Sequence, residues 1–368
     1  MNDSLKGDIF LNRLFRHKKA NILKAKAGLA AVVISFAFFT VQENIALALP
    51  QGYSVESGNV SFDSQDPNSL TITASDKAII NFNSFSIAPN ETVKFVQPFN
   101  SSSVLSRVTG NTATDIYGSL IANGQLIFVN TNGITFHENS NIQVSSLIAS
   151  TLNIQSAMYL NNQMTFEKQF GSNPGKILNE ATIQAADGGH IALLSESVQN
   201  KGTLIANKGS VVLAGGEKST ISFDNQGIIN LVIDKGLSQS LPNAVQNQGT
   251  LKADGGKVIL NAKTLNQTLD TLVNNSGIIE ANQLVERNGV IEIVSSGAIE
   301  SSGTVSASNG TINVKAGQDL KVQGQYNAKG GEVNFESGRN ITTTGPISTQ
   351  GTTTFKAVNN INVNFNVT

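Results

Sequence analysis

Cysteine is missing from all 368 residues, and so is tryptophan. Without thiols the chain can hold neither a disulfide framework nor a thiolate-bound metal. Charged residues make up only 14% and aromatics 6%. So little charge, beside 33 glycines and abundant Asn, Ser and Thr, points away from a helical enzyme and towards stacked strands and turns. Disorder is argued against by 39% hydrophobic residues at a net charge of −1. Histidine is scarce. His17 lies in the basic N-terminal stretch, and His137 and His190 stand alone in sequence, as surface or corner residues do. The sequence has no G-x-S-x-G elbow, H-E-x-x-H pair or Walker loop. The chain beyond residue 48 is mildly acidic without basic clusters, which argues against nucleic-acid binding.

What is present begins with an N-terminal address. Lys6, Arg13, Arg16, Lys18, Lys19, Lys24 and Lys26 precede Ala27 to Val41, which is apolar apart from Ser35 and Thr40. Ala46-Leu47-Ala48 follows as an A-x-A site. This order predicts an extended signal peptide over residues 1–48, cleaved after Ala48, with an uncleaved anchor as the alternative. No later run approaches the ~18 apolar residues of a membrane span, so the mature chain is expected to be exported and not membrane-spanning.

Strand follows strand in residues 104–154. Ile116 to Ile121 is apolar and small, Ala122-Asn123-Gly124-Gln125 reads as a turn, and Leu126 to Val129 as a buried strand. Asn130-Thr131-Asn132-Gly133 reads as the next turn. Asn-Gly pairs supply the positive φ that corners need. A loose repeat then sets in, anchored on Asn179, Asn200, Asn247 and Asn275, each followed by a Gly-containing corner and an apolar strand. Short β-branched strands at this period predict a parallel β-helix of about 20 residues per coil, at most roughly 16 coils, with Asn side chains laddered at one corner. The crossover rule makes it right-handed. Hairpin sheets in a sandwich or propeller are the alternative. The unbroken apolar runs Ile127-Phe128-Val129 and Val211-Val212-Leu213 speak against it, because they suit strands covered on both faces. Residues 155–176 break the rhythm and predict a short helix or strand pair on the rod's side. Residues 231–246 predict a loop or extra-helical hairpin. Residues 49 to about 92 must cap the first coil, whose edge would otherwise be open. The segment from Ile361 onward reads as a bare strand, so either its edge is used or a longer cargo is missing.

The segments Leu105-Ser106-Arg107-Val108-Thr109-Gly110, Ile116 to Gly124 and Val129-Asn130-Thr131-Asn132-Gly133-Ile134 resemble the haemagglutination-activity domain of filamentous haemagglutinin-like exoproteins of two-partner secretion. Val93 to Pro98 fits as well. Thr131 stands for the usual Pro and Ser106 for the usual Asn, departures that touch turn stiffness and not strand order. The resemblance implies a secretion domain over residues 49–175 and continuing β-helix repeats over 176–368. It implies recognition by an outer-membrane partner transporter with periplasmic binding domains. It implies secretion to the cell surface of a Gram-negative bacterium via the periplasm, and an adhesin or haemagglutinin-like role towards a host receptor or glycan. The residues that carry over to secretion and partner recognition are Arg107, Thr109, Gly110, Asn123, Gly124, Asn130, Asn132, Gly133 and Ile134. The bland reading of the same side chains is that they shape corners. No catalytic residue, cofactor or metal is expected. Two rivals stay open: a polysaccharide-acting β-helix enzyme, which needs a clustered acidic groove, and the stalk of a toxin-delivery exoprotein.

Overall fold

The computed structural model describes residues 49–364 apart from 174, 240, 267–269 and 286. The expected signal peptide, with Ala46 and Ala48, lies outside the described residues. Each turn of chain lays down three short strands. Ile177–Asn179, Thr182–Ala185 and His190–Ser195 form one coil. Val198–Asn200, Thr203–Ile205 and Ser210–Gly215 form the next. The two coils pair in parallel and in register, Asn179 on Asn200, Ile183 on Leu204 and Leu193 on Leu213. Such stacking runs from Ser69–Ala74 to Ile361–Val363. One face is a ten-stranded parallel ladder, and the other two join in a 22-stranded sheet. This is the parallel β-helix expected from the repeat.

Registration puts like on like. On one face Leu120, Ile142, Ile183, Leu204, Leu251 and Ile279 lie one above another, and all are buried. Fully burying each such side chain contributes about 1.5–3 kcal/mol, so the column, not any single coil, supplies the stability. Coils come close because their corners are glycine. A Cβ on Gly249 would fall inside the van der Waals shell of the Gly202 carbonyl oxygen, and one on Gly277 inside that of Gly249. The strand edge at the N-terminal end is covered as expected. Ser54–Ser57 and Val60–Asp63 pair antiparallel with Ala78–Phe82 and Ser69–Ala74, and Tyr53 stacks on Phe62 at 3.7 Å.

A second apolar cluster lies outside the coils. Ile79, Leu105, Ile127, Ile148, Ala192, Val212 and Ile259 share one outward register position. They are roofed by the helix Ser156–Leu160 and a three-stranded antiparallel sheet, Met164–Glu167, Lys218–Phe223 and Ile229–Lys235. Tyr159, Met164, Phe166, Ile221, Ile229 and Ile233 are among the roof's buried side chains. Beyond the roof the same position turns polar, as Glu292, Asn313 and Asn334. The unbroken apolar runs are thus explained by strands buried on both faces. The excursion at 155–176 contains both a helix and a strand. The hairpin expected from 231 begins earlier, at Lys218. Its first strand carries Ile221 and reads in sequence like another coil strand, so only its antiparallel pairing distinguishes it. Among the described residues no helix is long and apolar enough to cross a membrane.

Phe166 is fully buried under the roof, whereas Val232, on the same sheet, is 57% exposed. Phe166→Ala is expected to cost about 3–5 kcal/mol by leaving a cavity, and Val232→Ala less than about 0.5 kcal/mol. Denaturant unfolding of the two variants checks the contrast.

Candidate functional site

The residues expected to serve secretion fall into three places. Gly110, Asn130, Asn132, Gly133 and Ile134 meet at one corner. Asn130 is fully buried; its Nδ2 donates to the Thr112 carbonyl (3.0 Å) and to Thr114 Oγ1 (2.9 Å). Its Oδ1 accepts from the Asn132 backbone N–H (2.9 Å) and from Asn132 Nδ2 (3.0 Å). Asn132 Nδ2 also donates to the Gly110 carbonyl at 2.9 Å. The Gly133 N–H closes the turn onto the Asn130 carbonyl, and φ of +123° at Gly133 is a backbone that L side chains rarely adopt. Ile134 then enters the core between Thr114 and Ile177. Two amide side chains therefore tie one coil's corner to the coil before it.

Asn123 and Gly124 form a second corner. The turn expected at 122–125 is in fact continuous strand, Ser119–Asn130, which bends from one face to the next without leaving the sheet. The reason is side-chain mimicry of a ladder. Asn123 Oδ1 accepts from the Gln97 N–H (2.7 Å) and its Nδ2 donates to the Gln97 carbonyl (2.8 Å). Gln97 itself is buried, and its side chain donates to the Ser102 carbonyl at 2.7 Å. A Cβ at Gly124 would press into that side chain. Gln97 was legible only as a member of the resembling segment Val93 to Pro98.

Arg107 is the third place. Its Nη1 donates to Glu56 Oε2 (3.2 Å) and Asn81 Oδ1 (3.1 Å), and its Nη2 to the Ile154 carbonyl (2.8 Å) and Ser156 Oγ (3.3 Å). Its Nε donates to Asn153 Oδ1 at 3.2 Å. One guanidinium thus joins the cap, the first coil, the descending loop and the start of the roof helix, a task that needs Arg's fixed fork of donors. Hydrogen bonds from Ser156 and Asn81, then the Arg107 charge, hold the Glu56 carboxyl below its ordinary range. Nothing in the sequence pointed to Glu56. Neighbouring Thr109 donates from Oγ1 and from its N–H to the Phe82 carbonyl.

Downstream, the anchors form the expected amide ladder. Asn179 donates to Asn200, Asn200 to Asn247 and Asn247 to Asn275, each at 2.8 Å, and all four are fully buried. His137 is not alone: its Nε2 lies 2.8 Å from Asp115 Oδ1, one coil earlier, and its ring stacks on Tyr117 at 3.8 Å. His190 is buried beside Phe223, and burial pushes its pKa down to about 4. Glu217, also buried, is paired with Lys235 at 2.8 Å at the base of the hairpin. Burial would raise its pKa, but bonds from Lys235 and Ser238 outweigh this and bring it to about 2. Among the described residues no three His, Asp or Glu come together to hold a metal ion.

The described residues thus form an N-capped parallel β-helix with a lateral antiparallel sheet, tied by corner amides. The TPS secretion domain family model matches residues 46–307, and the chain belongs to that family, the secretion domain of two-partner secretion exoproteins. It is similar to a heme/hemopexin-binding protein of Haemophilus influenzae strain Rd, 30% identical over 251 residues, which are 66% of this chain and 27% of that protein. A second H. influenzae heme/hemopexin-binding protein is 28% identical over 285 residues, 70% of this chain and 30% of its own length. The chain thus spans under a third of the curated relatives it matches. The crystal structure of the HMW1 secretion domain from H. influenzae superposes with a TM-score of 0.69 at 25% identity, covering 85% of this chain and all of that one. A TPS domain implies an outer-membrane transporter as partner, and exoproteins of this family are secreted through the outer membrane of Gram-negative bacteria.

Two measurements test the site's physics. Arg107→Lys is expected to destabilise by about 2–3 kcal/mol, since an ammonium cannot replace the forked donors; urea unfolding reads the change. His190 is neutral in the fold, with a pKa of about 4 against 6.5 when unfolded, so the unfolded chain takes up the extra proton between those values. Stability is therefore full above pH 6.5 and falls as the pH drops towards 4, by at most about 3 kcal/mol. His190→Gln should flatten that part of the profile measured by thermal unfolding.

Proposed function

We propose that this chain is the N-terminal export module and proximal shaft of a secreted adhesin or haemagglutinin-like exoprotein. Its partner is an outer-membrane transporter whose periplasmic binding domains receive the unfolded chain by strand addition. The observation that carries the reading is the family match over residues 46–307, which spans the cap, the roof and the corners built by Asn123, Asn130 and Asn132. The route would run from a signal peptide over 1–48, cleaved at Ala46-Leu47-Ala48, through the periplasm to the cell surface. Outside, each completed coil templates the next, so folding free energy biases movement outward. Arg107, Thr109, Gly110, Asn123, Gly124, Asn130, Asn132, Gly133 and Ile134 would serve by forming the first corners, and the partner would read the chain before those corners close. A host receptor or glycan is the target of the adhesive surface. The reading includes no enzymatic step, because the corner side chains are spent on backbone carbonyls and on one another.

Heme or hemopexin binding, named for the relatives, is not carried over. The matched part is under a third of each relative, and the chain's own His190 is buried and His137 is held by Asp115.

The proposed boundary at residue 175 separates secretion module from repeats. It also cuts the roof, because Met164–Glu167 pairs with Lys218–Phe223.

Export is the test. Asn132→Leu with Gly133→Val removes the corner bonds and places a β-branched residue at positive φ. In cells that carry the transporter, the variant is expected to accumulate in the periplasm, while Asn313→Leu, far from the corner, is exported normally. Undiminished export of the double variant would sink the assigned role. A secretion-competent chain ending at 175 would favour the shorter module, and one that needs residues up to 235 would move the boundary.

A further inference from the structure

A cavity of about 460 Å³ opens between the tip of the lateral hairpin and the outer surface of the strands Lys257–Ala262 and Val290–Ser295. Its volume falls within the ~300–1,000 Å³ of small-molecule sites. Three segments far apart in sequence build it: the hairpin tip with Asp224 and Asn230, the corner at Lys257, and the loop carrying Arg287 before Glu292.

The polar groups are held in place by one another. Asp224 Oδ1 accepts from the N–H groups of Gln226 (2.8 Å) and Ile228 (2.9 Å), which fixes the carboxylate at the tip. Arg287 Nη2 donates to Gln226 Oε1 at 3.1 Å, so the loop is tied to the hairpin. Lys257 Nζ lies 3.0 Å from Glu292 Oε1. The backbone donors, and then the nearby Arg287 and Lys257, keep the Asp224 carboxyl below its ordinary range. Ile228 and Val290 add an apolar patch to this ring of polar groups.

We propose that this cleft binds a neutral saccharide of one or two rings. Among the described lining residues two cations are balanced by two carboxylates, so these offer no surplus charge to an ionic ligand. A carboxylate beside a cation places an acceptor next to a donor. Adjacent ring hydroxyls need that pairing, since each can donate to one group and accept from the other. Charge-assisted bonds of this kind are about twice as strong as neutral ones. The apolar patch suits the C–H face of a pyranose. Asp224 and Arg287 are pre-organised by bonds to Gln226 and Ile228, and Lys257 and Glu292 by their ion pair, so little ordering remains to be done on binding. The proposal deepens the adhesin reading, from which it takes only that the chain meets carbohydrate outside the cell.

Saturation-transfer NMR on the purified full chain tests it, with glucose, galactose, lactose and maltose as neutral probes and galacturonic and N-acetylneuraminic acids as charged ones. Transfer to at least one neutral probe is expected, severalfold weaker in Arg287→Gln and Glu292→Gln. Asn230 is exposed at the cleft edge, so Asn230→Trp fills the cavity without touching the core and should abolish transfer. Failure of every neutral probe, preference for an acidic sugar, or transfer retained in Asn230→Trp overturns the proposal. Because binding is read on purified protein and export on cells, loss of one with the other intact shows which reading has failed.

Discussion

In-register stacking of one coil on the next is the constraint on which the rest depends. It lines up the inward Leu and Ile side chains, brings glycine corners to backbone distance and superposes Asn179, Asn200, Asn247 and Asn275. A slip of one residue would turn every inward side chain outward. It would also separate those amides from one another, losing hydrogen bonds worth about 0.5–1.5 kcal/mol each. The apolar columns supply most of the stability and are indifferent to small exchanges of Ile for Leu. The amide ladder contributes less but tolerates no misalignment. Surface ion pairs between coils, such as Glu180 with Lys201 and Glu300 with Lys321, repeat the same register and are individually weak.

Register also explains how the chain accommodates insertions. Successive anchors are 21 residues apart where coils are plain, as in Asn179 to Asn200, and 47 apart where the hairpin intervenes, as in Asn200 to Asn247. The ladder resumes on the same alignment because a longer excursion adds little closure entropy. The excursion in turn decides what the coils may expose. Where the roof lies, the outward position is Ile148, Ala192 and Val212; past it, the position is Glu292 and Asn313.

Much of this was written in the sequence, and the parts that were not share a physical cause. Stacked anchors, glycine corners and doubly buried strands leave a periodic trace, so the β-helix and the ladder could be read directly. The corner at Asn130 and Asn132 was visible as a turn, because its residues are adjacent in the chain. Glu56 with Arg107 and Asp115 with His137 were not, since coil stacking sets those pairings and neither partner announces the other. Asn123 misled for a related reason. An Asn-Gly pair that usually marks a turn here copies a ladder bond inside a strand. The hairpin was placed late because Lys218–Phe223 has the composition of a coil strand and differs only in what it pairs with.

The coils do not all form on equal terms. Beyond about residue 290 each coil touches only its neighbours, and such arrays gain stability one unit at a time. The earlier coils are different. Arg107 links the cap to the descending loop and the roof helix, and the strand Met164–Glu167 waits for Lys218–Phe223 before its apolar face is sealed. Without the strands up to residue 235, only the helix Ser156–Leu160 and the strand Met164–Glu167 cover the surface that carries Ile127, Ile148 and Val212. These contacts couple the N-terminal coils into one block, whereas the later coils are coupled only to their neighbours. The cap covers the block's N-terminal strand edge, on which it could otherwise pair with another chain.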